Sequence, residues 1–154
     1  DPGDGLLVFQ NQAAAKASGL ELALEARFTN GITARLAYAI QNAEDEATDL
    51  ELSNSPHNLA KLNISAPLWR DKVFAGLDLQ YSSPVTTVMG NQSEEIWLLN
   101  ATLFSRPVGD HLEISATLYN VLDERHGFSA STEHVQDTIP LPGRSFRVKA
   151  TYRF

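Results

Sequence analysis

The sequence predicts an all-β chain, an antiparallel transmembrane β-barrel segment of about eight long strands. Three observations carry this. Apolar and polar residues alternate with a period of two in run after run. Several runs last about 10–12 residues, against the 5–6 usual in globular strands. The connections between runs alternate short and long along the chain. About eleven residues at roughly 3.4 Å each, tilted by about 45°, climb roughly 26 Å, the height of an outer-membrane barrel's apolar band.

The elements follow in chain order. A short segment, LLVFQNQ, comes first. SGLELALEARF then sets Leu20, Leu22, Leu24, Ala26 and Phe28 against Glu21, Glu25 and Arg27. Thr29-Asn30-Gly31 is a hairpin signal, because Asn and Gly tolerate the positive φ that tight turns demand. The beat resumes at Ile32, Ala34, Leu36, Tyr38 and Ile40, with Arg35 on the other flank. NLAKLNISA offers Ala60, Leu62, Ile64 and Ala66; KVFAGLDLQY offers Val73, Ala75, Leu77, Leu79 and Tyr81. EIWLLNATLF is apolar on both flanks, and Trp97, Leu99, Ala101 and Leu103 are assigned outward. HLEISATLY contributes Leu112, Ile114, Ala116 and Leu118. The closing run GRSFRVKATYRF contributes Phe146, Val148, Ala150, Tyr152 and Phe154.

Thr29–Gly31, Pro67–Asp71 and Arg106–Asp110 are the short connections; Asn42–Pro56, Ser83–Ser93 and Val121–Gly143 are the long ones. Strict alternation puts every long loop at one end, as in barrels with short periplasmic turns and long extracellular loops. The charges Glu21, Glu25, Arg27, Arg35, Lys61, Asp78, Glu113, Arg147, Lys149 and Arg153 all fall on the polar flanks. A lipid-facing Arg or Lys at the midplane costs about 2–4 kcal/mol, so a membrane enforces that exclusion. A soluble barrel with an oily interior enforces it too, with the faces inverted. Phe28, Trp69, Phe104, Tyr152 and Phe154 gather toward the short-turn end, and Tyr38, Tyr81 and Trp97 toward the long-loop end, like two interfacial girdles.

The 154 residues carry a net charge of −7 and no basic patch, which argues against a nucleic-acid partner. There is no cysteine, so no disulfide or thiolate metal site can form. No apolar run is long enough for a transmembrane helix, a test that says nothing of barrels. The opening DPGDG reads as the start of a mature fragment rather than of a gene product.

Four segments resemble one family, the TonB-dependent outer-membrane receptors, in the C-terminal part of their barrel. LYNVLDERHGF resembles the penultimate-strand signature, with Asn120, Val121, Leu122, Asp123 and Glu124 in place. PLPGRSFRVKATYRF resembles the last strand, led in by Gly143 and Arg144 and closed by Phe154. NSPHNLAKLNISAPL resembles a strand descending from an extracellular loop, and SGLELALEARFTNGITARLAYAI the hairpin before it. The family's aromatic near His126 is missing here.

The resemblance implies that residues 1–154 form the C-terminal part of a 22-stranded barrel. The family's plug domain and TonB box lie N-terminal to that part. It implies uptake of a scarce nutrient, a ferric siderophore, haem or cobalamin, and contact with outer-membrane lipid, the plug and the TonB system. It also implies that Phe146, Val148, Tyr152 and Phe154 form the signal read by the barrel-assembly machinery, through strand addition to a sheet edge.

Other candidates read as structural. Glu44, Asp45, Glu46, Asp49 and Glu51 make an oxygen-rich loop with no EF-hand spacing, best taken as a solvated mobile loop. His126 and His134, with Glu133 and Asp137, share the longest loop, but two His eight residues apart make a poor metal signal. His57 and His111 sit at strand ends as interfacial polar residues. His111 and Ser115 share a strand face about 13 Å apart, too far for a catalytic pair. No enzyme activity, cofactor or metal is expected. Two alternatives stay open: a complete eight-stranded outer-membrane barrel with a structural or adhesive role, and a soluble β-barrel or sandwich binding a small apolar ligand.

Overall fold

A computed structural model describes residues 14–69, 72–105 and 111–154. It contains β1 (Ala15–Arg27), β2 (Thr33–Asp45), β3 (Asn58–Trp69), β4 (Val73–Ser82), β5 (Ile96–Ser105), β6 (Leu112–Tyr119), β7 (Gly127–Ser129), β8 (Thr138–Pro140) and β9 (Ser145–Tyr152). Seven of these form one antiparallel sheet in the order β1-β2-β3-β4-β5-β6-β9, while β7 and β8 make a separate small hairpin. Seven long strands lie among the described residues; the first segment read from the sequence, LLVFQNQ, lies outside them. So do Arg70, Asp71 and the turn Arg106–Asp110. Each long strand pairs with its neighbour in the chain, and β1 and β9 do not pair, so the sheet is open.

The hairpin at Thr29–Gly31 forms as the sequence predicts. Gly31 adopts φ 84°, its amide donates to the Phe28 carbonyl at 3.0 Å, and Phe28 N–H donates to Ile32 O at 2.9 Å. That turn fixes the register, and a slip of one residue would exchange the two faces. Register is kept across the sheet but for one shift in the β3–β4 pair, between Pro67 and Trp69. One row runs Ala26–Ala34–Ile64–Leu77–Ala101–Leu118–Phe146, each residue opposite the next. Its neighbour, one residue along, runs Arg27–Thr33–Ser65–Gly76–Thr102–Thr117–Arg147. The first row is wholly apolar, and the second is polar but for one glycine. The assignment of Leu99, Ala101 and Leu103 to the apolar face, ambiguous from β5 alone, is settled by these partners.

Among the described residues no second sheet or helix layer covers either face. Leu22, Leu36, Leu77, Ile114 and Val148 are 51, 38, 45, 44 and 65% exposed. A soluble domain buries such rows between two packed layers. The dry centre that a soluble barrel or sandwich requires is absent among the described residues. The buried hydrophobic residues, Val85, Ile96 and Ala130, lie instead at the long-loop end.

The upper belt is continuous: Tyr38 stands opposite Ala60, Ala60 opposite Tyr81, and Tyr81 opposite Trp97, with the last two rings 4.5 Å apart. At the other end Tyr152 meets Phe154 edge-on at 5.6 Å. Phe104 needs correction. It lies at the short-turn end but on the polar face, stacked on Phe74 at 5.3 Å and opposite Ser115. An apolar residue between Leu103 and Ser105 carries no mark of its side until the pairing is known.

Candidate functional site

Three connections rise from the long-loop end: residues 46–57, 83–95 and 120–144. The first continues β2 upward as a hydrogen-bonded arm, with Asp45 N–H donating to Leu50 O and Leu52 N–H to Ala43 O, both at 2.9 Å. Asp45 Oδ1 accepts from Ala47 N–H at 2.9 Å and from Thr48 N–H and Thr48 Oγ1 at 3.0 Å, which closes the tip. This acidic stretch is thus a shaped hairpin tip. Asp45 uses its carboxylate as a turn-former, the ordinary role of Asp at such places.

The loops hold one another. Asn54 N–H donates to Thr86 O at 2.8 Å, joining the first to the second. Asn91 Nδ2 donates to Asp137 Oδ2 at 3.0 Å, and His126 Nε2 meets Glu94 Oε2 at 2.7 Å, joining the second to the third. Thr87, the most buried side chain described, and Asn91 hold the Asp137 carboxyl below the usual range. The loops therefore pack as one cap, which loops of this length do only when their own side chains fill the space between them.

Under the cap, on the polar face, lies a cavity of about 340 Å³. Its floor is the row Lys61–Gln80–Leu98, and the next row up is Leu59–Ser82–Ile96. Val85, Ser93 and Phe128 close it from the second and third loops. Sequence reading placed Lys61 among the inward charges but could not place it at the foot of a cavity, because the lining converges from five separate segments.

The signature residues Asn120, Asp123, Glu124, Gly143 and Arg144 meet at the base of the third loop. Asn120, 5% exposed, takes the left-handed conformation at φ 50°. Its backbone N–H donates to Asn100 Oδ1 at 3.0 Å. Its side-chain Nδ2 donates to Glu124 O at 2.8 Å and Pro142 O at 2.9 Å, and its Oδ1 accepts from Glu124 N–H at 2.8 Å. One side chain thus binds the outgoing turn to the returning chain. Asp123 Oδ1 accepts from Arg144 N–H at 3.0 Å and faces Arg125 Nη2 at 3.2 Å. The Arg144 amide, with Arg125 behind it, lowers the Asp123 pKa. Glu124 is lowered chiefly by the His126 N–H, which it accepts at 2.9 Å. At Gly143 an added Cβ would stand 2.7 Å from Arg125 Nη2, so a larger residue there would push the guanidinium away from Asp123. Leu122 is 52% exposed and stands outside this network.

Phe146, Val148, Tyr152 and Phe154 all lie exposed on the final strand or just past it. Phe146, Val148 and Tyr152 take their register from β6, opposite Leu118, Ala116 and Leu112. The polar face carries Glu25 between Arg27 at 2.7 Å and Arg35 at 3.2 Å, and Arg153 against Glu113 at 3.0 Å. His126 Nδ1 also meets Glu124 at 2.8 Å, so this ring spans two carboxylates. His134 is anchored elsewhere, its amide on Ser131 O at 3.1 Å. No three His, Asp or Glu converge on a metal position among the described residues. His57 lies between Glu51 at 2.9 Å and Gln41 O at 3.0 Å, and His111 Nδ1 sits 2.9 Å from Arg153 O.

No family model and no curated protein matches the chain. Solved structures do. The copper transporter OprC superposes with a TM-score of 0.74 at 17% identity over 91% of this chain and 24% of its own. The ferric-catecholate import receptor Fiu from E. coli K12, in its closed form, gives 0.76 at 19% over 91% and 21%. The FrpB iron transporter from Neisseria meningitidis gives 0.70 at 20% over 91% and 24%. The chain spans about a fifth to a quarter of the length of the structures it matches. The likeness is one of fold: an open antiparallel sheet that superposes on part of outer-membrane receptor barrels, in keeping with the resemblance read from the sequence.

Proposed function

We propose that residues 1–154 are the C-terminal wall of an outer-membrane receptor that takes up a scarce nutrient by TonB-dependent transport. One observation carries the reading: an apolar row crosses all seven strands with none of its residues buried, while the adjacent row is polar but for Gly76. The wall of a membrane barrel is the setting in which both rows are at low free energy, the first against lipid and the second against water or protein in the lumen. The polar ladder and its ion pairs then face the lumen and a plug domain, and the capped loops form part of the extracellular vestibule.

The nutrient is a metal ion or small metal chelate. The superposed structures support this class by their names: a copper transporter, a ferric-catecholate import receptor and an iron transporter. The aromatic tail from Phe146 to Phe154 serves assembly, as a strand offered to an exposed sheet edge. The role of residues 120–124 and 143–144 is architectural: they set the point at which the longest loop leaves and rejoins the wall.

The test is genetic and direct. A strain lacking the full-length protein should lose growth when supplied with a single scarce source, tried in turn as ferric siderophore, haem, cobalamin or copper. Restoring the gene should rescue growth only while TonB is present. Rescue that ignores TonB, or full-length protein recovered in the aqueous fraction, would contradict the proposal.

A further inference from the structure

We infer that the cavity over Lys61 binds an apolar organic anion, its carboxylate or equivalent head held by the Lys61 ammonium. At about 340 Å³ the cavity falls within the size range of small-molecule sites. Its walls are hydrocarbon: Leu59, Ile96, Leu98, Val85 and Phe128. Its hydroxyls are spent on the chain itself. Ser82, Ser83, Ser93 and Ser129 donate to the carbonyls of Ser83, Pro84, Glu94 and Ala130 at 3.3, 3.4, 3.2 and 3.3 Å. Gln80 Nε2 donates to Asp78 Oδ1 at 2.8 Å, so that amide is partly committed as well.

Lys61 differs from all of these. It is the charged side chain of the lining, and no carboxylate lines the cavity or pairs with it among the described residues. Glu21, two strands away, shares a neighbouring groove with Lys61, and Asp78 stands opposite Asn63, diagonally across from Lys61, but neither lines this cavity or forms an ion pair with the ammonium. An unspent ammonium at the foot of an apolar pocket selects a ligand with an apolar body and one anionic end. A neutral apolar molecule would gain nothing from the ammonium, and a polyanion would find one cation for several charges. The volume holds about eleven waters at roughly 30 Å³ each, which matches a bicyclic aromatic acid. The inference rests on the receptor reading for the side from which the ligand arrives.

The test uses purified full-length protein in detergent and 2-naphthoate as probe, with 2-naphthamide as its neutral twin. Wild type should bind the acid at least about tenfold more tightly than the amide, the worth of one charge-assisted hydrogen bond. Lys61→Met should erase that preference, Lys61→Arg should keep it, and Leu98→Trp should weaken both probes by filling the wall. Heat-modifiable mobility on gels verifies that each variant is a folded barrel. Equal binding of acid and amide, an unchanged Lys61→Met, or no binding at millimolar probe would each overturn the inference. The receptor reading is scored separately by TonB-dependent growth: intact uptake without naphthoate binding sinks only this site, and binding without uptake sinks only the receptor.

Discussion

Asn120→Ala removes three side-chain hydrogen bonds at the base of the longest loop: those to the Glu124 carbonyl and amide and to the Pro142 carbonyl. Each is worth about 1 kcal/mol net in a site as closed as this. Asn tolerates the left-handed backbone at φ 50° better than Ala, which adds about 1 kcal/mol. The sum, about 3–4 kcal/mol, corresponds to a local opening constant raised on the order of a hundredfold or more. Hydrogen exchange on the full-length protein should show it as faster exchange at residues 120–126 and 142–146, with β3 and β4 unaffected. Asn120→Gly relieves the backbone part alone, about 1 kcal/mol, and should exchange roughly fivefold more slowly than Asn120→Ala. Unchanged exchange at Glu124, or a glycine variant no better than alanine, would refute the reasoning that this one side chain ties the corner.

Three further outcomes follow from the same geometry. Leu77→Arg puts a charge in the middle of the apolar row and should cost about 2–4 kcal/mol of folded barrel in urea titrations, while Thr102→Arg on the polar face should be nearly neutral. Deleting Phe154 should lower outer-membrane abundance of the full-length protein, read by fractionation; undiminished assembly would speak against the tail as a signal. Asp123, Glu124 and Asp137 have pKa values lowered by their hydrogen bonds. Their contribution is therefore present above the ordinary carboxylate range, near pH 4, and is lost as pH falls through the lowered values. Cleavage of residues 120–144 by an acid-active protease should rise between pH 5 and about pH 3, and falling susceptibility would be the wrong sign.

The sheet was legible because alternation is local. Leu20 to Phe28 and Ile32 to Ile40 declare their faces without reference to any other residue, and Thr29-Asn30-Gly31 supplies the register. The faces of β5 were less so: Leu98, Leu99, Leu103 and Phe104 are alike in chemistry, and only pairing with β4 and β6 separates them. The β7–β8 hairpin is three residues a side and too short to announce a period. The loop cap and its cavity were not legible. Lys61 in β3, Val85 and Phe128 meet through tertiary packing, and nothing in KLN, PVT or GFS marks them as neighbours. The motif around Asn120 was recognisable as a signature, yet its physical meaning, an amide binding Glu124 and Pro142 together, needed the returning strand to be in place.

The account stands or falls on which medium touches which face. Its chain carries no cysteine, so Leu77→Cys and Asp78→Cys, made singly, report two adjacent positions on opposite faces. Spin labels on full-length protein in lipid bilayers should find position 77 relaxed by oxygen dissolved in hydrocarbon, and position 78 relaxed by a water-soluble nickel chelate. The reverse pattern, or water access at both positions, would contradict the account.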